Sequence, residues 1–131
     1  MDLIQKVIVG LPLPLKIQGD CCAAAGSVYL CQYQLANAEQ SLIQAVELHK
    51  QAHDILGEAI DCRKLGDLYL HQDRLGDAEQ SLIQAVELHK QAHDILGEAN
   101  DCQSLGDLYL HWYQLADVEQ SLIQGSSSEI A

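Results

Sequence analysis

AEQSLIQAVELHKQAHDILGEA occupies Ala38 to Ala59 and returns unchanged at Ala78 to Ala99. A third start, DVEQSLIQ, stands at Asp117 to Gln124 and stops there. Self-similarity at a fixed forty-residue period marks stacked supersecondary units, each hiding its apolar side against the next. Working outward from this stretch therefore begins with architecture.

At 100° per residue, Ala78, Leu82, Ala85, Val86, Leu88, His89, Ala92 and His93 fall within an arc of about 160°, with Glu79, Gln80, Gln84, Glu87, Lys90 and Gln91 opposite. Only Ile83 sits on the polar side. Such a helix cannot bury its stripe alone. Asp94 is a good N-cap for the next helix, with Glu98 well placed in its first turns. Ile95, Ala99, Cys102, Gly106 and Tyr109 then form a second stripe. A glycine inside a helix costs roughly 1 kcal/mol against alanine. Its return at Gly26, Gly66 and Gly106 predicts a neighbouring helix packed too closely for a Cβ.

The spacing predicts paired helices, about 21–33 with 36–52, 54–72 with 76–93, and 94–112 with 116–125. Turns are expected around Asp73 to Gly76 and Tyr113 to Ala116, with Gly125 a C-cap. Residues 1–19 read as an adapter, a short helix and then a Pro12–Pro14 passage. Residues 20–125 divide into repeats at about 20–53, 54–93 and 94–125, and 126–131 read as a flexible tail. The expected fold is all-α, a right-handed α-solenoid of antiparallel helix pairs with its third unit truncated.

Cys62, Leu65, Gly66 and Tyr69, then Ala78, Leu82 and Ala85, stand at the intervals W-x2-L-G-x2-Y, A-x3-F and a small residue. Cys102, Leu105, Gly106, Tyr109, Val118, Leu122 and Gly125 follow the same spacing, as do Cys22, Ala25, Gly26, Tyr29, Ala38, Leu42 and Ala45. Over residues 20–125 the chain resembles the tetratricopeptide repeat family. Cys replaces the usual Trp, Leu replaces Phe, and the unit-ending Pro is missing. The forty-residue unit with its LGEA junction is similar to the longer repeats of kinesin light chains and cell-polarity adaptors.

The resemblance implies a concave groove, lined by the first helix of each pair, that receives an extended peptide or a partner helix. By position its candidates are Arg63, Lys64, Asp67, Leu70 and His71, then Gln103, Ser104, Asp107, Leu110 and His111. Trp112 and Tyr113 break the repeat where the middle unit has Gln72 and Asp73, and add a candidate contact patch. The same resemblance implies a structural core of Cys62, Leu65, Gly66, Tyr69, Ala78, Leu82, Ala85, Leu105, Gly106 and Tyr109. Asp67 and Asp107 stand where chaperone-tail binders use Asn, which disfavours that specificity.

The net charge of −12 arises entirely after residue 36, where 17 acidic residues face 5 basic ones. That sign repels phosphate backbones and argues against nucleic acid. Five cysteines without CxxC spacing point to a reducing compartment, read as cytoplasmic, and the recurrence of Cys22, Cys62 and Cys102 to small buried side chains. The apolar run Val7 to Leu15 contains two prolines and is too short for a membrane span. His49 with His53 and His89 with His93 have chelating i, i+4 spacing but no third ligand at a fixed offset, so hydrogen bonding between repeats is expected rather than a metal. No catalytic fingerprint occurs, and neither enzyme activity nor a cofactor is expected.

Two readings follow. The first is a non-catalytic scaffold whose groove binds a protein or peptide. The second is a self-assembling repeat protein, a homo-oligomer or filament built head to tail through uncapped ends.

Overall fold

The computed structural model describes the backbone of residues 13–130 and the side chains of residues 13–124. These form five α-helices: α1 (Leu15–Cys31), α2 (Leu35–Gln51), α3 (Ile55–His71), α4 (Leu75–Gln91) and α5 (Ile95–Ile130). No strand occurs among the described residues. The fold is an all-α repeat solenoid in which α1 packs on α2 and α3 on α4, while α2–α3 and α4–α5 contacts join successive units. No described helix is long and apolar enough to cross a membrane.

Every junction is a three-residue link with the same hydrogen bonds. After α1, the Gln34 N–H donates to Tyr29 O at 2.8 Å and the Tyr33 N–H to Leu30 O at 3.0 Å. This paired pattern ends a helix by placing one residue in the left-handed region, usually glycine. Here those residues are Tyr33, His53, Asp73 and His93, with φ between 56° and 59°. Each such non-glycine residue costs roughly 1–2 kcal/mol, which the packing of the returning helix must offset. Asp54 and Asp94 then start α3 and α5, each carboxylate accepting from the N–H three residues on (Gly57 or Gly97) at 3.1 Å.

The glycines show why the pairs lie so close. A Cβ added to Gly66 would sit 2.6 Å from Leu82 Cγ, and one on Gly26 would sit 2.9 Å from Leu42 Cγ. Leu42 and Leu82 are fully buried there, in one cluster with Tyr29, Ala38, Leu65, Leu68, Tyr69, Ala78 and Leu108. A second layer of Ala59, Cys62, Ala85 and Leu88 continues the seam between α3 and α4.

The third unit departs from expectation. α5 runs without a break through Tyr113 to Ala116, where a turn is expected, and its backbone passes Gly125 still helical. Gly106 and Tyr109, assigned to the core by repeat position, are exposed, and so is Cys102. The cause is shared: no helix returns over this part of α5, so nothing lies within 4 Å of a Cβ built on Gly106. Leu105 keeps its place only as a partly buried neighbour of the main cluster. A return here would offer Leu115, Val118 and Leu122 as its large apolar contacts before the Gly125–Ser128 stretch, little to offset another residue at positive φ.

At the other end, α1 begins at Leu15, so five residues assigned to the adapter belong to the first helix. The expected helix before Gly10 lies outside the described residues. His53 and His93, placed in the buried arc by periodicity, are exposed turn residues, because their helices end at Gln51 and Gln91.

Candidate functional site

Helices α1, α3 and α5 are the first members of their pairs, and two hollows open along them. The first, about 290 Å³, opens between α1 and α3 and is lined by Leu30, Tyr33, Leu35, Lys64, Asp67, Leu68 and His71. The second, of about 320 Å³, lies toward α5 and is lined by Leu70, His71, Asp73, Asp107 and His111. Helical spacing explains the grouping, since Lys64, Asp67, Leu68 and His71 recur at three- and four-residue steps on one face of α3.

The polar groups on this face are tied down. Lys64 Nζ donates to Ser27 Oγ on α1 at 3.3 Å, and His71 Nδ1 donates to Asp67 O at 2.8 Å. His111 on α5 reaches back to Asp73 Oδ1 at 3.1 Å. Burial pushes the Asp67 carboxyl up from its ordinary value, opposed by nearby Arg63 and a hydrogen bond from Ser104. The floor of the hollow between α1 and α3 is apolar, from Leu30, Leu35 and Leu68, with Tyr33 standing 81% exposed above it.

Six of the twelve candidates thus line these two hollows: Lys64, Asp67, Leu70, His71, Asp107 and His111. Ser104 joins them through Asp67. Arg63 points elsewhere, into a separate depression beside His89 and Asp94, where its Nε lies 3.9 Å from Asp101 Oδ1. Gln103, Leu110, Trp112 and Tyr113 are exposed on α5 and line neither hollow. Periodicity missed Leu30, Tyr33 and Leu35, because they flank a turn and only the fold of the chain brings them against α3.

Between units, each buried histidine reaches into the following helix. His49 Nδ1 lies 2.5 Å from Asp61 Oδ2, and His89 pairs likewise with Asp101. His49 Nε2 also meets Asp20 Oδ1 at 2.8 Å. Burial depresses the His49 imidazolium, but the Asp61 and Asp20 carboxylates outweigh it and raise its pKa overall. Burial pushes Asp61 up to about 6 despite its bond to His49. The sequence signal for this link was the twelve-residue offset from His49 to Asp61 and from His89 to Asp101.

Asp20, His49 and Asp54 also form the grouping with metal-ligand proximity, yet Lys16 Nζ lies 3.2 Å from Asp20 and 3.3 Å from Asp54. The lysine ammonium already supplies the positive charge there. A second inter-unit tie joins Tyr69 Oη to Glu39 at 3.1 Å, with Arg74 bonded to the same carboxylate and stacked 4.3 Å over the tyrosine ring.

Among curated proteins none matches the chain at significance. Residues 62–95 match the family model described as Tetratricopeptide repeat, a span that begins at Cys62 within α3 and ends at the first residue of α5. Residues 62–95 thus carry a tetratricopeptide repeat, and helix pairs stack at the same interval on either side of that span.

Proposed function

We propose that the chain is a non-catalytic scaffold whose inner face binds a segment of another protein, either an extended peptide or a partner helix. Tetratricopeptide repeats generally mediate protein–protein interactions. The observation that carries the reading here is the hollow between α1 and α3: apolar at its floor, with Lys64, Asp67 and His71 at its edge. An aliphatic or aromatic side chain would enter it, while the strongly negative chain favours a neutral or basic segment. Free cysteines throughout fit a reducing compartment such as the cytoplasm. The uncovered face of α5 supports a second reading, association between copies of the chain.

Nuclear magnetic resonance titration with a panel of short peptides carrying one large apolar residue tests the first reading. Shifts confined to Leu30, Tyr33, Lys64 and His71 are expected. Tyr33→Gly, which keeps the positive-φ turn while removing the ring, should weaken them. Shifts centred on the opposite helices, or none with any peptide, would overturn the assignment.

A further inference from the structure

The first helix of each later unit is covered along one line by the second helix of the unit before it. On α3 that line is Glu58, Asp61, Leu65 and Leu68, between 1% and 7% exposed, and Leu68 shares its cluster with Ala38 and Leu42 of α2. On α5 the corresponding Asp101 and Leu108 are fully buried, with Leu108 in one cluster with Ala78 and Leu82 of α4. On α1, forty residues earlier, the line reads Gln18, Cys21, Ala25 and Val28. None of these is buried, and Val28 is 54% exposed. The line has also lost both carboxylates, and the exposed Ile17 widens the apolar strip beside it.

Just before α1 the chain repeats the sequence that does the covering elsewhere. Leu42–Val46 and Leu82–Val86 read LIQAV, and Leu3–Val7 reads LIQKV. Val9 stands six positions before the start of α1 at Leu15, against seven from Leu48 to the start of α3 at Ile55. We propose that the segment Leu3–Val9 lies across α1 of its own chain as α2 lies across α3, with Leu3 and Val7 set against Val28, Ala25 and Cys21.

Two substitutions in the segment fit this placement. Ala45 is fully buried with Cys22 and Ala23 of its own unit, and Ala85 with Ala59 and Cys62. Lys6 stands in their place, a charge suited to an outer face turned to water and away from α1. Gly10 stands for His49, and Cys21 for Asp61. The buried histidine–aspartate link is therefore given up on both sides together, which leaves an apolar contact with no unpaired charge inside it.

Maleimide labelling of the full chain, read at each cysteine by mass spectrometry, tests the placement. Cys21 lies on the covered line and Cys31 off it, so Cys21 should react about tenfold more slowly than Cys31 at every protein concentration. Leu3→Asp combined with Val7→Asp should remove most of that difference, with Cys22 still protected and helix content kept. Ile4→Asp, at the position of the exposed Ile43, should change nothing. Three results would overturn the proposal: Cys21 as reactive as Cys31 in the unaltered chain, Cys21 still slow in the double variant, or protection that grows with concentration, as a second copy seated on α1 would give.

Discussion

The imidazole of His49, at the end of α2, lies 2.5 Å from Asp61 in the middle of α3, and both side chains are almost wholly enclosed. This contact crosses the boundary between two repeats, so it fixes how one unit sits on the next. Removing one partner leaves the other buried without compensation, which is the costly way to break such a pair. His49→Gln or Asp61→Asn should destabilise the fold by about 2–4 kcal/mol, read from urea unfolding.

The same pair makes stability depend on pH. Folding raises His49 above 6.5 and Asp61 from 3.8 to about 6, so the folded chain binds more protons than the unfolded one across that range. Stability from this pair is therefore complete at the acid end of the window and is lost as pH rises through about 6 and then through the raised His49 value. The stability difference between the native chain and the double variant His49→Gln with Asp61→Asn should shrink as pH rises from about 5 to about 8. A difference that grew with pH would contradict the assignment.

Two glycine-to-alanine changes should have opposite signs. At Gly66 a Cβ would meet Leu82 at 2.6 Å, so the helix-propensity gain is outweighed and a net loss of about 1–3 kcal/mol is expected. At Gly76 nothing lies within 4 Å, and a gain of about 0.5–1 kcal/mol is expected. Thermal unfolding of the two variants side by side checks both.

Asp94→Ala removes the carboxylate that receives the Gly97 N–H at the start of α5. A loss of about 1 kcal/mol should follow, recovered largely by Asp94→Asn, since asparagine caps as well.

Thiol labelling should divide the cysteines. Cys31 and Cys102 are exposed and should react quickly with a maleimide. Burial pushes Cys22 up to about 11 and Cys62 up to about 12, so neither supplies thiolate at neutral pH. Fast modification of Cys62 in the folded chain would show that the seam between α3 and α4 is open.

Much of this was legible from residue types and intervals. The duplicated stretch, Asp54 and Asp94 as caps, and Gly26 and Gly66 as points of close approach each follow from local chemistry repeated at one period. Lys64, Asp67 and His71 were named from their place in the family's repeat, and three- and four-residue steps put them on one face of α3. Leu30, Tyr33 and Leu35 were not, because they enter the hollow from a turn whose direction depends on how α2 returns against α1.

What the amino-acid order settled alone is the unit: an amphipathic pair, its start signals, and the glycine where the partner helix comes close. Those are properties of a few neighbouring residues and survive in any context. What only the tertiary structure decided is where the pattern stops. Tyr33 and Tyr113 stand at equivalent positions, yet the first turns at positive φ and the second continues a helix. The difference lies in what a returning helix can bury: α2 finds α1 and α3 on its two sides, whereas a return from α5 would find only one. Packing from distant segments sets that balance, and no stretch of a few residues encodes it.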